Sequence, residues 1–415
     1  MTGSGILGRQ KGTVTGMDQI ARGFGVRRWT DCLRVNKPFP VRNASPLLIG
    51  ILRGEGVGPE IIGAALDVLD AVTKAKGLGV QVCEGGPIGR AAEKAFAAAL
   101  PQNVIDFCED IFARGGAILH GPGGGRFVYD LRKEFDLFFK INPLQAAYSA
   151  PLTSRLKPDL ARQLDVLLTR ENSGGIYQGE WAEETTSSGR LAWHRFAYAE
   201  DQVNRFLQAS ARLAKQRRGE LTVVWKESGL PSISKLWRGS AEEVAKAIGV
   251  QVRMIDFDVM AYQLVHDPHR FDVVAAPNLI GDVLADLGAA LLGARGASFS
   301  GNYDERGNAV YQTNHGSAHD LAGTDRANPA GQIFALAMML RESFGCDREA
   351  AAIEAAVRSV WSEGWRTEDI ASPGAHIVGT REMGCRVAER AAELLEFGQR
   401  PAGARVGDEA ASPSC

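Results

Sequence analysis

Long uninterrupted apolar runs are missing: none of the 415 residues falls in a stretch of membrane-spanning length, so the folded body is expected in water and not in lipid. An excess of one charge is missing too. Lys and Arg number 47 against 49 Asp and Glu, and a formal net charge of −2 offers no general attraction to nucleic acid. The six cysteines, Cys32, Cys83, Cys108, Cys346, Cys385 and Cys415, form no CxxC pair and no zinc spacing. That argues against a disulfide framework and suits unpaired thiols in a reducing compartment, with the cytoplasm as the expected location. No repeat of fixed period occurs.

Two nucleotide signatures fail as well. The glycines at 54, 56 and 58 follow an apolar run, but G-x-G-x-x-G needs a glycine where Pro59 stands. GPGGGR at 121–126 lacks the Lys-Ser/Thr of a phosphate loop. A nucleotide bound here is held by another route.

The length fits two domains plus tails. Residues 1–46 carry eight Arg or Lys against two acids, Asp18 and Asp31. They are expected to be a disordered extension or the product of a start placed too early, with Met17 as one alternative start; an organelle transit peptide stays open. Residues 401–415, rich in Pro, Ala, Gly and Ser, are expected to be a disordered tail. Between them strands and helices alternate. Strands are expected at Leu47–Leu52, Ala117–His120, Val166–Arg170 and Leu221–Trp225, and helices at Arg90–Leu100, Leu131–Phe138, Glu200–Gln216 and Ala241–Ile248. This rhythm predicts an α/β protein on a largely parallel sheet. Tyr177–Tyr198 breaks it with Trp, Thr, Ser and Gly, as a projecting arm or hairpin would.

The segment FDVVAAPNLIGDVLADL, from Phe271, opens as a strand, breaks at Pro277-Asn278 and resumes as a helix carrying Asp282 and Asp286. Carboxylates four apart stack on one helix face about 5–6 Å apart at Cβ. Either they line a solvated face, or a hard divalent cation such as Mg²⁺ or Mn²⁺ compensates them.

GEGVGPEI, LRKEFDL, TRENSGGIYQGE, VVWKESGL, DFDVMAYQLV, FDVVAAPNLIGDVLADLGAALLG and NHGSAHDLAGTDRANPAG resemble, in order and spacing, the isocitrate and 3-isopropylmalate dehydrogenases, from Leu47 to about Leu395. The resemblance implies a two-domain α/β fold with a non-classical nucleotide site, its first domain at 47–137 plus 293–400 and its second at 138–292. It implies a homodimer with shared active sites, the arm crossing to the partner. The implied reaction is NAD-dependent oxidative decarboxylation of a 3-substituted malate, by a specialised paralogue; a catalytically weakened regulatory or binding subunit is the alternative.

Residue by residue, Asp258, Asp282 and Asp286 match metal carboxylates, Asp258 coming from the other subunit. Arg132 and Arg170 match substrate-carboxylate arginines. Tyr177 and Lys226 match the proton-transfer pair. His315, Gly316, Ser317, Ala318 and Asp320, with Asn328, match the loop around the adenosine of the cofactor, where an acid at Asp320 favours NAD by repelling a 2′-phosphate.

The chain also departs from the pattern. The usual DLYANVRP reads DLFFKINP, so Asn142 replaces a third substrate arginine. Lys140, two residues earlier, is expected to point to the other face of that strand. Glu55 replaces an aspartate, a change expected to be tolerated, Ser228 an asparagine and His319 a proline. The residues before Arg132 match neither substrate class: Arg126 could meet an anionic side group or be a solvated loop charge, and Val128 and Tyr129 could line an apolar pocket.

Overall fold

The computed structural model describes residues 28–34, 46–150, 153–154 and 156–397. The tail at 401–415 and most of the stretch before residue 46, Met17 included, lie outside them. The first half runs β1 (Leu47–Leu52), α1 (Gly58–Lys76), β2 (Val80–Glu84), α2 (Arg90–Phe96), α3 (Gln102–Ala113), β3 (Ala117–His120), α4 (Phe127–Glu134), β4 (Phe139–Gln145), α5 (Pro158–Arg162), β5 (Asp165–Glu171), β6 (Glu180–Thr186), β7 (Gly189–Arg195) and α6 (Glu200–Gln216). The second runs β8 (Glu220–Trp225), α7 (Pro231–Ile248), β9 (Gln251–Asp256), α8 (Phe257–His266), β10 (Val273–Ala276), α9 (Asn278–Leu292), β11 (Phe299–Tyr303), β12 (Ala309–Thr313), α10 (Ala330–Glu342), α11 (Asp347–Ser362), β13 (Trp365–Arg366), β14 (His376–Ile377) and α12 (Thr380–Phe397).

Ten strands form one sheet in the order β2-β1-β3-β12-β11-β4-β5-β10-β8-β9. The flanks are parallel, but β4 runs antiparallel to both β5 and β11, and β11 antiparallel to β12. The sheet is therefore mixed at its middle, where the reading of a largely parallel sheet breaks down. Strands from 47–137 and 299–313 occupy one half and those from 139–276 the other, meeting where β4 pairs with β11. β1, LLIGIL, is buried throughout between two parallel neighbours, which is why it reads as continuous apolar residues and not as an alternation. On α1, Pro59 stands in the first turn, and Ile61, Ile62, Ala65, Val68, Leu69 and Val72 form the buried stripe.

Several boundaries differ from expectation. α4 begins at Phe127 and not Leu131, and it is over by Glu134, because Asp136 turns into the left-handed region at φ +45° and hands the chain to β4. α7 begins at Pro231, which suits the first turn, well before Ala241. The expectation that residues 1–46 stand apart fails for Trp29–Leu33. That 3₁₀ turn buries Trp29, Cys32 and Leu33, while Thr30 donates through its backbone N–H and its hydroxyl to buried Glu342, at 3.0 and 2.8 Å. Between β5 and α6, β6 and β7 pair as an exposed antiparallel hairpin that forms most of the 177–198 arm.

Candidate active site

The end of β5 faces the start of α9, and there the sequence places its charges together. Arg170, 1% exposed, donates through Nε and Nη2 to Asn278 Oδ1 at 3.0 and 2.8 Å and through Nη1 to Asp282. Asn278 is itself fixed, its amide donating to the carbonyl of Gly174 at 2.6 Å. Gly281 makes the approach possible: a Cβ there would lie 2.9 Å from both Cβ and Cγ of Arg170. The Tyr177 hydroxyl donates to the other oxygen of Asp282 at 3.0 Å, and Arg170 lies over the Tyr177 ring, 5.6 Å from its centroid. Burial pushes Asp282 up, but Arg170, Lys140 and the Tyr177 hydroxyl outweigh it and hold the carboxyl below the usual range. Burial and Asp282 together push the Tyr177 phenol up, so it keeps its proton at neutral pH.

Arg132, in the last turn of α4, is buried, with its Nε unpartnered. Burial and the nearby Arg170 push it down to about 9. Lys140 corrects an expectation. Residues two apart on a strand share a face, so Lys140 stands on the side of Asn142 and not opposite it. It is 3% exposed and directly across from Arg170 in the β4–β5 ladder. Burial, then Arg132 and Arg170, drive its ammonium well below the usual lysine range, against Asp282 and Asp286. Asn142 is 1% exposed, and neither end of its amide has a partner among the described residues.

Arg126 is partly exposed, its side chain at 38%, and is engaged by its neighbours. It donates to the Tyr177 carbonyl at 3.2 Å, pairs with Asp130 at 3.3 Å and stacks over Trp181 of β6, 4.7 Å from the ring centroid. It also lies over Tyr129, whose ring centroid is 4.9 Å from that of Tyr177. Tyr129 and Arg126 thus tie α4 to the root of the arm.

The structure gives Lys226 carboxylate partners other than Asp282. Lys226, after β8, donates to Asp258 at 2.7 Å, with Asp256 at 3.6 Å. That hydrogen bond raises the Lys226 pKa and lowers that of Asp258. Within one chain the hydrogen bonds join Arg170 and Tyr177 to Asp282, with Arg132 near enough to feel its charge, and separately join Lys226 to Asp258. Among the described residues no set of three or more metal-ligating His, Cys, Asp or Glu side chains converges. Asp282 and Asp286 nevertheless fit a hard divalent ion. They are one turn apart on α9 and partly exposed, so their oxygens suit such an ion, although each is at present matched by a guanidinium, Arg170 for the first and Arg295, at 2.6 Å, for the second.

The glycine loop after β1 packs on the 315–320 loop. Val57 N–H donates to the Ser317 carbonyl at 2.9 Å, and a Cβ on Gly56, at φ +61°, would sit 1.8 Å from that oxygen, so only glycine fits. Glu55, 8% exposed, accepts from the Ser317 hydroxyl at 3.0 Å and from Gly124 N–H at 2.8 Å, knotting three loops. Ala318 takes a positive φ of 41°. His315 Nδ1 lies 2.9 Å from the Gly316 carbonyl, Gly316 faces open space, and Asp320 is exposed. Asn328 makes its own contacts: its Oδ1 accepts from Ala330 N–H at 3.0 Å and its Nδ2 donates to Asp369 at 3.1 Å, fixing the turn that leads into α10. Sequence reasoning misplaced Lys140 and missed Asn278, Gly281 and the knot at Glu55. Strand periodicity alone places Lys140 beside Asn142, whereas the other three depend on contacts across more than 60 residues.

The isocitrate/isopropylmalate dehydrogenase family model matches residues 48–387. The 3-isopropylmalate dehydrogenase of Carboxydothermus hydrogenoformans is 36% identical over 363 residues, covering 83% of this chain and 94% of its own. That of Moorella thermoacetica is 36% identical over 355 residues, covering 81% and 96%. The crystal structure of isocitrate dehydrogenase from Methylococcus capsulatus superposes with a TM-score of 0.74 at 29% identity, covering 83% of this chain and 99% of its own.

Proposed function

The chain belongs to the isocitrate/isopropylmalate dehydrogenase family, and from that premise we propose that it catalyses NAD-dependent oxidative decarboxylation of a 3-substituted malate to a 2-oxo acid and CO₂. The family relation makes it an oxidoreductase on CH–OH donors, of a kind that uses a divalent metal and NAD(P). Among the described residues no helix is long and apolar enough to cross a membrane. The observation that carries the finer reading is the convergence of Arg170 and the Tyr177 hydroxyl on Asp282, the first of two carboxylates one turn apart on α9, with buried Arg132 close enough to feel its charge.

In this reading Arg132 and Arg170 hold substrate carboxylates, and Arg170 is pre-aimed by Asn278. Asp282 and Asp286 would hold a divalent ion, Mg²⁺ or Mn²⁺, whose positive charge would acidify the substrate hydroxyl and offset the charge left when CO₂ departs. Lys226, held protonated by Asp258, would pass its own proton to that carboxylate as it takes the hydroxyl proton, while hydride leaves carbon 2 for the nicotinamide. Tyr177, whose phenol is protonated at neutral pH, returns a proton to carbon 3 in place of the lost carboxylate. Hydroxyl proton, hydride and CO₂ are then all accounted for. Because Lys226 hydrogen-bonds to Asp258 and not to the Tyr177–Asp282 pair within one chain, a homodimer would supply both from the partner, with the arm crossing to meet it. The loop from His315 to Asp320 holds the adenosine half of NAD, with Asp320 against the ribose; Asn328 contributes by fixing the helix behind.

The loss of an arginine at Asn142 favours a second reading, a weakened regulatory subunit. NADH formation by the purified dimer, with Mg²⁺ or Mn²⁺ and NAD, is measured across malates bearing hydrogen, isopropyl, carboxymethyl, benzyl and phosphonomethyl groups at carbon 3. Turnover of one of them is expected. Silence across the panel, with NAD and metal still binding, would shift the reading to the regulatory subunit.

A further inference from the structure

Lys140 has no task in the scheme above, yet it is a buried amine at the centre of the site, one that an incoming anion would hold in its charged form. It is 3% exposed and, among the described residues, its ammonium has no hydrogen-bond or ion-pair partner. In the β-ladders it pairs directly with Arg170 on β5 and with Asn302 on β11, so its side chain rises from the same face as Arg170. Like charges directly opposed across strands repel. Arg132 adds a third cation whose field reaches both. Against these three stand Asp282, which Arg170 engages, and Asp286, which Arg295 engages. An unpaired buried cation is costly, and a chain that keeps one among two guanidinia leaves the deficit for an incoming anion to fill.

We propose that Lys140 binds a carboxylate of the substrate, alongside Arg132 and Arg170, and that the Asn142 amide, unpartnered on the same face, donates to that same carboxylate. This rests on the malate reading given above. A compact ammonium meets a carboxylate as a point charge and not as a planar fork. Asn142 is shorter than an arginine, which leaves room beside the carboxylate for the substituent at carbon 3. The substrate class that fits is a 2-hydroxy diacid with a bulky carbon-3 group.

The test is Lys140→Met, which keeps much of the volume and removes the charge, assayed with the best malate of the panel, Mg²⁺ and NAD. One charge-assisted hydrogen bond is worth about 1.5–3 kcal/mol, so the malate KM is expected to rise on the order of 10- to 100-fold, with a smaller change in kcat and an unaltered KM for NAD. An unchanged malate KM overturns the proposal; so does a parallel loss of NAD affinity, the mark of a merely structural lysine. The double variant Lys140→Asn/Asn142→Arg moves the cation two residues along the same face. It is expected to recover malate affinity to within about tenfold of wild type, given the size of one such bond. If Lys140→Met fails to fold, a folded double variant that does not bind malate overturns the proposal. Should the wild-type protein turn nothing over, calorimetric titration of (R)-malate with Mg²⁺ separates the two claims. Binding that weakens in Lys140→Met keeps the Lys140 assignment while the catalytic reading falls, and no binding by wild type sinks both.

Discussion

Replacing Gly281 by alanine sets two opposing effects against each other. In the interior of a helix such as α9, Ala is favoured over Gly by about 1 kcal/mol, so helix propensity alone predicts a more stable protein. The new Cβ would, however, lie 2.9 Å from Arg170 Cβ and Cγ and 3.2 Å from Cδ. Those atoms are the root of the side chain and cannot swing aside as a flexible tip does. Arg170 is 1% exposed and anchored at Asn278 and Asp282, so relief comes by displacing the guanidinium or by parting β5 from α9. Overpacking of this kind costs about 1–3 kcal/mol, which cancels or exceeds the helix gain. Displacement that breaks one charge-assisted hydrogen bond costs about 1.5–3 kcal/mol, or roughly 10- to 100-fold in binding. Gly281→Ala is therefore expected to unfold at or slightly below the wild-type temperature, while kcat/KM for the malate falls by one to two orders of magnitude. Calorimetry and steady-state kinetics on one preparation read both. A variant about 1 kcal/mol more stable with unchanged kcat/KM would refute the claim that Gly281 exists to admit Arg170.

Asp282→Asn removes half of the carboxylate pair and is expected to abolish metal-dependent turnover and to weaken Mn²⁺ binding by calorimetry; unchanged turnover would sink the site assignment. Tyr177→Phe is expected to lower kcat by about 10²- to 10⁴-fold while leaving malate KM and thermal stability close to wild type, as removal of a proton donor does. Thr30→Val deletes a hydroxyl that donates to buried Glu342 at 2.8 Å, and a loss of about 1.5–3 kcal/mol in urea unfolding is expected. Burial pushes Glu171 from 4.5 up to about 6 despite donors from Ser173 and Gly174. A carboxyl raised in the folded state contributes stability that is complete below about pH 4.5 and lost as pH rises through about 6. The wild type should thus lose about 2 kcal/mol relative to Glu171→Gln across that window, and parallel stability profiles would refute it.

What the sequence disclosed, and what it hid, divides by range. Strand β1 and helix α6 were readable because their signals are local, a buried apolar run and helical periodicity. Asp282, Asp286 and Arg170 were readable because their motifs carried them. The mixed centre of the sheet was not, since the antiparallel pairing of β4 with β11 joins residues about 160 positions apart with no turn signal between them. Trp29–Leu33 was hidden for the same reason. Its anchor, Glu342, is at the far end of α10, and a basic, glycine-rich composition drowned the short apolar cluster.

Lys140 belongs to a different class, because it was legible and was misplaced by an error of period. A residue two before Asn142 lies on the same side of a strand, so the charge that Asn142 lacks stands one pleat away on the substrate face. This changes how the altered motif is weighed. With Lys140 facing away, DLFFKINP is a damaged carboxylate clamp and favours a regulatory subunit. With Lys140 buried across from Arg170, the site keeps three cations, and the alteration becomes a change in the shape of what is bound. The Lys140→Met and Lys140→Asn/Asn142→Arg pair therefore bears on catalysis as well as specificity. A lost arm of the clamp would leave the malate KM indifferent to Lys140, whereas a relocated one makes affinity follow the cation along β4.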